Sequence, residues 1–321
     1  MEKKLDKIFD AIRDGNFRWK VANTINIEKN LHKRIFFVSN NNTREMAIRD
    51  KYYKKLYKEN KDFIENYNPS FLPGCYKKVI WICWLQGYES APDLVKACIN
   101  SIRINNPDFE IVILTEKNIS SYTNLPDYII NKYKTGQISR AHFSDILRIT
   151  LICTYGGVWL DSTVLCTNRD FLNDISSMPI FVFKVMDLNR KDSLSIVASS
   201  WLISSFGPSK ILLLTRDLLY KYWECHDYLV DYYTFHIFFS IAAKRFPNEW
   251  DKIPMYNNSS PHTLMFELNN DFTETRWDQI IKTSAIHKLT HHVQFDNQNS
   301  FYSHILREYD PKDDKKSYEE D

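Results

Sequence analysis

The stretch from Arg140 to Thr163, R-A-H-F-S-D-I-L-R-I-T-L-I-C-T-Y-G-G-V-W-L-D-S-T, holds the densest set of side chains able to do chemistry in this chain. Arg140, Asp145 and Arg148 fall at polar offsets in an otherwise apolar helical pattern, and Asp145 and Arg148, three apart, share one face. A structural ion pair accounts for those two alone. A glycine pair, Gly156-Gly157, and an acidic strand end, Asp161, then follow at once in a chain with only 7 glycines. Such a pair lets backbone approach a ligand closely, and a carboxylate at a strand terminus suits a metal ion or sugar hydroxyls. A turn with a capping Asp is the alternative.

Two further groups carry ionisable side chains. His287, His291 and His292 crowd into H-K-L-T-H-H. Metal ligation through His287 is one reading, and an incidental cluster in a polar C-terminal segment is the other. Asp231 and His236 fall in an aromatic run, D-Y-Y-T-F-H-I-F-F, read as helical. Core packing explains its aromatic rings, whereas the two ionisable groups point to the acceptor or diphosphate side of a site.

The elements that must position these groups alternate. Lys78 to Leu85 is a short apolar, β-branched run of the kind expected for a buried strand, and Pro92 opens an amphipathic helix closed by Asn105-Asn106-Pro107. Phe109 to Thr115 is a second strand, completing a β-α-β unit. A second cycle has a helix from Ser139 to Cys153, a break at the glycine pair and a strand, Val158 to Leu160, that delivers Asp161 to its end, where α/β sheets keep their ligands. Ile180 to Met186 and Ser195 to Ile203 are strand candidates. Ile211 to Trp223 and Tyr228 to Ala243 are helical by period. From Lys3 to Asn66 the chain reads as helices broken around Val38 to Thr43, and Leu72-Pro73-Gly74 marks a boundary.

With 321 residues, 44% hydrophobic and 26% charged, the chain has material for a sizeable core, which excludes disorder. Neither G-x-G-x-x-G nor G-x-x-x-x-G-K-[ST] occurs, which argues against a P-loop NTPase or a standard dinucleotide-binding dehydrogenase. The six cysteines contain no C-x-x-C pair and read as reduced core thiols. The net charge of +2 is uneven: residues 1 to 61 carry 16 Lys+Arg against 8 Asp+Glu. That excess suits an anionic membrane surface or nucleic acid, or is a plain solvated face. No apolar h-region marks a secretory signal near the start, and Ser193 to Ser209 is too rich in serine to span a membrane. The expectation is a cytoplasmic protein, peripheral on the inner face of the cell membrane.

The spacing D-x-x-R, followed by G-G-x-W-x-D with its Asp sixteen residues after the first, resembles the DXD-type sugar transferases of glycosyltransferase family 32. More closely, it resembles the bacterial capsular polysaccharide synthesis proteins. Further matches follow in order: Ser199-Ser200-Trp201-Leu202-Ile203, Tyr222-Trp223, Asp231-Tyr232 with His236, and His287-Lys288-Leu289-Thr290. They span roughly residues 76 to 305.

The resemblance implies an α/β GT-A type nucleotide-sugar-binding domain with a mostly parallel central sheet, over residues 76–309. An N-terminal basic helical segment, 1–75, would precede it and a flexible tail, 310–321, would follow. It further implies retaining transfer of a sugar from a UDP- or GDP-sugar to a capsular or other surface polysaccharide, with a glycan or lipid-linked oligosaccharide as acceptor. A non-catalytic protein of the same fold, binding nucleotide-sugar or glycan, is the alternative; nucleic acid is not expected as a partner. By motif match Trp84, Gln86 and Gly87 would border the nucleotide, and Arg140, Gly156, Gly157 and Trp201 would belong to the donor side. Asp145 and Arg148 would grip donor-sugar hydroxyls, Asp161 would stand at the ribose and metal, and Lys288 near the diphosphate. Asp231 and His236 complete the catalytic set. A divalent cation, Mn2+ or Mg2+, is the implied cofactor, held by Asp161, Thr163 and His287. The sequence departs from the family pattern at Thr163, where the second acidic residue of the DXD would stand.

Overall fold

The computed structural model describes residues 41–69, 76–185, 195–292 and 297–310. Its central sheet contains β1 (Val79–Cys83), β2 (Glu110–Leu114), β3 (Gly157–Leu160), β5 (Phe181–Lys184) and β6 (Ala198–Ser205), in the order β2-β1-β3-β6-β5. β4 (Val164–Cys166) and β7 (Ile286–Lys288) form a separate antiparallel ladder. β1 is parallel to β2 and to β3, while β6 runs antiparallel to both β3 and β5. Four of the five strands therefore run one way, the mostly parallel α/β arrangement that the resemblance implies.

The helices that frame the cores and the site are α1 (Asn41–Glu59), α2 (Asp93–Asn105), α3 (Arg140–Tyr155), α4 (Lys210–Cys225), α5 (Thr234–Arg245), α6 (Glu274–Thr283) and α7 (Phe301–Glu308). Burial on both faces explains the unbroken apolar reading of β1, Val-Ile-Trp-Ile-Cys. Val79 and Trp81 face one core with α3, α4 and α5, whereas Ile80 and Ile82 face the other with Val95, Ile99 and Ile102 of α2. A third apolar cluster joins α2 to α6, α7 and the β4-β7 ladder through Cys98, Leu165, Ile280, Leu289 and Phe301.

Several sequence expectations need adjustment. Of the break expected around Val38 to Thr43, the part within the described residues, Asn41 to Thr43, already belongs to α1. Ile48, Tyr52 and Leu56 of α1 pack into the first core. The earlier part, Lys3 to Asn40, the boundary at Leu72 to Gly74 and the tail beyond 310 lie outside the described residues. The helix expected from Tyr228 begins only at Thr234: Asp231 Oδ1 accepts a hydrogen bond from Tyr233 N at 2.8 Å and Asp231 O accepts from Thr234 N, a turn that a short polar side chain favours. Asp231 therefore stands before the aromatic helix.

Gly156 and Gly157 do a different job from the one expected of them. Both have positive φ, 70° and 85°. A Cβ on Gly156 would lie 2.6 Å from Ser205 O, and one on Gly157 would lie 2.4 Å from Val79 O. Their lack of side chains lets the chain leave α3 and enter the sheet between β1 and β6; the close approach is to neighbouring strands and not to a ligand. Gly156 O also accepts a hydrogen bond from Trp81 Nε1 at 3.0 Å. Gly157→Ala should destabilise the protein by at least about 1–3 kcal/mol from the backbone conformation alone. The midpoint of urea unfolding measures this, and an unchanged midpoint would contradict the packing account.

Candidate functional site

Three pieces of chain converge at the ends of β1 and β3: the middle of α3, the turn that follows β3, and the end of β7. They line a cleft of 310 Å3 whose walls include Asp145, Arg148, Asp161, Thr163, His236 and Lys288. A larger groove, 1180 Å3, lies elsewhere and is lined by Tyr57, Tyr67, Pro179 and Phe246 among others; it contains none of the candidate residues.

Ser139 starts α3 by accepting a hydrogen bond from His142 N, and the three-residue spacing then sets Asp145 and Arg148 side by side. The Arg148 guanidinium donates through Nη1 to Asp145 Oδ1 and through Nη2 to Asp161 Oδ1, the latter at 2.8 Å. Trp159 Nε1 donates to the same Asp161 oxygen at 3.1 Å. Rings of Trp159 and Phe235 lie 5.0 and 5.7 Å from the guanidinium carbon. The Arg148 side chain is 5% exposed, so the cation is nearly dry and forks between two carboxylates.

The electrostatics follow from that enclosure. Burial works against ionisation of Asp145, but Arg148 outweighs it, helped by His142 and His236, and holds the carboxyl below its ordinary value. Burial likewise opposes the charge of Arg148, and Asp161 with Asp145 more than restores it. Burial pushes His236 down to about 4, only partly offset by Asp145, so this imidazole is neutral at pH 7. Its Nδ1 is buried without a hydrogen-bond partner. Cys83 also lines the cleft, but burial pushes its thiol up to about 12, which removes it as a thiolate nucleophile.

Asp161 begins a turn, closed by Val164 N donating to Asp161 O at 3.0 Å, that carries the chain into β4. The antiparallel register pairs Val164 with Lys288 and Leu165 with His287, and Leu289 N donates to Thr163 O at 2.9 Å. Backbone pairing thus puts Lys288 beside the D-S-T turn. Lys288 Nζ donates to Thr163 Oγ1 at 2.6 Å and lies 3.8 Å from Asp161 Oδ2.

The strand's two-residue alternation turns His287 the other way. It is fully buried, its Nε2 is 3.3 Å from Thr167 Oγ1, and burial pushes it down to about 4. It does not line the cleft beside Asp161 and Thr163, contrary to its assignment as a metal ligand. His291 and His292 do line the cleft.

Other expected residues fall outside this lining. Arg140, at the start of α3, is exposed and 3.9 Å from Glu116. Asp231 lies 4.0 Å from Arg49 Nε of α1, and Arg49 sits 4.2 Å over the Tyr233 ring, so this acid ties α1 to the loop before α5. Its neighbour Tyr232, 67% exposed, lines the cleft instead. Trp201 is buried, donates to Asn258 Oδ1 at 3.0 Å and stacks on Phe183; its neighbour Ser200 lines the cleft. Trp84 follows β1 directly and packs edge-to-face with His291, 5.5 Å between ring centroids, while Gln86 and Gly87 lie in the turn beyond; none of the three lines the cleft.

Sequence reasoning missed Ser144, Ser200 and Tyr232 as lining residues and Trp159 as a donor to Asp161. Trp159 had a signal: two residues from Asp161 on an extended strand, it shares that residue's side. Ser200 had one as well, its place in the Ser199-Ser200-Trp201-Leu202-Ile203 match, whereas Ser144 had none.

The donor set is a poor fit for the implied divalent cation. Asp161 Oδ1 already takes two N–H donors, its Oδ2 faces an ammonium, and Thr163 Oγ1 accepts from that ammonium. Asp145 is engaged by Arg148. Among the described residues no group of three or more His, Cys, Asp and Glu side chains could hold a metal ion.

Residues 29–305 match the family model described as capsular polysaccharide synthesis protein. The O-glycosyltransferase braB of Annulohypoxylon truncatum is 30% identical over 94 residues, which make up 26% of this chain and 22% of that protein. The match thus spans about a fifth of that relative's length. A solved structure titled PaToxG Glycosyltransferase aligns at 15% identity and a TM-score of 0.36, covering 64% of this chain and 81% of that one.

Neutral, enclosed His236 and His287 predict the acid response of the fold. Both have folded values near 4 against an ordinary 6.5, so below pH 6.5 the unfolded chain takes up protons that the folded chain refuses. Stability should fall as pH drops from about 6.5 to about 4, by up to about 1.4 kcal/mol per pH unit for each histidine. Urea unfolding across this range should show a shallower slope for His287→Gln than for the parent chain; equal slopes would remove His287 from the account.

Proposed function

The chain belongs to the capsular polysaccharide synthesis family, and we propose that it transfers a sugar from a nucleotide-sugar, UDP- before GDP-, to a capsular or other surface polysaccharide acceptor. The observation that carries this reading is the Arg148 fork between Asp145 and Asp161, open on one side to a cleft that Lys288 closes on the other. Carboxylate and guanidinium offer paired acceptors and donors for sugar hydroxyls, and the ammonium meets a diphosphate. In the transfer the bond between the anomeric carbon and the phosphate oxygen breaks with its electron pair on that oxygen. The acceptor hydroxyl oxygen bonds to the anomeric carbon, and its proton passes to the departing diphosphate. Cations fixed at the diphosphate are worth most here because charge grows on it as the bond lengthens.

Retention of configuration is the stereochemistry this cleft supports. Inversion needs a base on the face opposite the leaving group. Arg148 engages both Asp145 and Asp161, and His236, held near 4, is a weak base at neutral pH. Tyr232 and His236, at the cleft wall nearest α5, form the acceptor side in this reading.

Residues 1–61 carry a net charge of +8, and we propose that they hold the protein at an anionic membrane surface. The described part, α1, exposes Lys51, Lys54 and Lys58 while burying Tyr52 and Leu56. No helix among the described residues is long and apolar enough to cross a membrane. The chain should co-sediment with phosphatidylglycerol vesicles at low salt and be released at high salt; indifference to such vesicles would leave a solvated basic face.

A panel of UDP-, GDP- and CMP-sugars, read by thermal shift and by donor hydrolysis, tests the central proposal. Stabilisation with no hydrolysis and no transfer to any glycan would favour a nucleotide-sugar-binding protein without catalysis. Arg148→Lys keeps the charge but cannot fork between two carboxylates. It should lower transfer by at least about 10- to 100-fold, the value of one or two charge-assisted hydrogen bonds, while nucleoside diphosphate still binds. Asp145→Asn should do the same. Full transfer by both variants would reduce the fork to a structural ion pair.

A further inference from the structure

We propose that Lys288 is the built-in cation of this site, so that the nucleoside diphosphate binds and leaves without a divalent metal ion. This inference rests on the nucleotide-sugar reading above. A D-x-D turn offers two carboxylates, and a divalent ion between them brings their sum to zero. Here the turn offers Asp161 and a neutral Thr163, and one ammonium suffices for the same sum.

The structure places that ammonium by backbone, not by chance of a flexible side chain. β7 ends at Lys288, its partner in the ladder is Val164, and Leu289 N is bonded to Thr163 O, so the lysine stem starts directly beside the turn. Nζ then donates to Thr163 Oγ1 at 2.6 Å, lies 3.8 Å from Asp161 Oδ2 and also reaches Leu289 O at 3.3 Å. The threonine hydroxyl is a fitting partner for this arrangement. An aspartate there would set a second negative charge against the ammonium and against an incoming diphosphate, whereas a hydroxyl orients the ammonium without adding charge. The Lys288 side chain is 21% exposed and lines the cleft, so a phosphate oxygen can reach it.

Its work in the transfer is electrostatic. As the anomeric carbon–oxygen bond breaks, the electron pair stays on the diphosphate, and the hydrogen bonds from the ammonium to its non-bridging oxygens shorten and strengthen without a proton being given up. No other reactant is needed beyond the donor and the acceptor hydroxyl. Arg148 stands across Asp161 and fixes the carboxylate, so Asp161 orients Lys288 and is not drawn away to chelate an ion.

Calorimetric titration of the full chain with UDP and with GDP, in EDTA and again in Mn2+, tests this directly. For whichever nucleotide binds, the dissociation constant should agree within about twofold between the two conditions, a difference of only about 0.4 kcal/mol. Lys288→Met should weaken binding in EDTA by about 10- to 100-fold, the value of a charged hydrogen bond, and Lys288→Arg should recover part of the loss. Thr163→Asp should weaken binding in EDTA and gain a Mn2+ dependence visible by electron paramagnetic resonance of the bound ion. Binding seen only with Mn2+, or Lys288→Met binding as the parent chain does in EDTA, would overturn the inference while leaving the nucleotide-sugar reading in place. Failure of the parent chain to bind either nucleotide in either condition would overturn both. Because the EDTA and Mn2+ comparison uses the parent chain, the outcome does not depend on any variant folding.

Discussion

The site depends on one guanidinium shared between two elements. Arg148 reaches Asp145 on its own helix and Asp161 at the end of the next strand. For that to happen α3 must stop after Tyr155, the chain must reverse within Gly156 and Gly157, and β3 must be short enough to end at Leu160. A Cβ at either glycine would meet a strand carbonyl, so the reversal is as tight as the backbone permits. Lysine cannot replace this residue geometrically, since a single ammonium lacks the rigid fork that spans both carboxylates.

A second constraint, independent of the first, comes from the small β4-β7 ladder. Alternation along β7 sends Lys288 to the cleft and His287 to the interior, so adjacent residues have opposite fates. A slip of one residue would exchange them, placing an ammonium among buried apolar groups. Leu165 and Leu289, buried in the cluster that also holds Cys98 and Ile280, penalise that slip and so set the register. Apolar packing behind the ladder thereby positions the cation in front of it.

What was legible in the sequence was whatever depends on local pattern. The β-α-β unit, α3, the glycine break and Asp161 at a strand end could all be read from periodicity and punctuation, because each is short-range and strongly patterned. β4 and β7 were not legible: three residues each, 120 positions apart, they pair only through tertiary contact. The placement of His287 is the direct casualty, since three nearby histidines read as a cluster until β7 turns His287 inward, away from His291 and His292 beyond the strand. Asp231 was misplaced for a related reason. The aromatic run continues smoothly through it, but its side chain bonds to Tyr233 N and delays the helix to Thr234, which passes the cleft position to Tyr232. The glycine pair was read as a helix break and a place of close backbone approach, but with the wrong neighbour, because nothing local says that Val79 and Ser205 will flank it.

Packing alone gives no reason for the Arg148 network. Removing one guanidinium and two carboxylates from water costs several kcal/mol per ion, and well-packed apolar residues of similar volume are commonly as stabilising or more so. The surroundings would suit them, since Ile146, Leu147 and Ile149 on the same helix are fully buried. The charges are also not sealed: Arg148 is 5% exposed, Asp145 14% and Asp161 29%, a gradient that rises toward the cleft. A network meant only to hold α3 against β3 would gain from being dry throughout. One that is dry at the cation and progressively wetter at its acceptors keeps Arg148 fixed and leaves lone pairs of Asp161 and Asp145 within reach of a ligand's hydroxyls. The cost of burying the charges is then the cost of having them already oriented when the ligand arrives, which is where preorganised polar groups return the most.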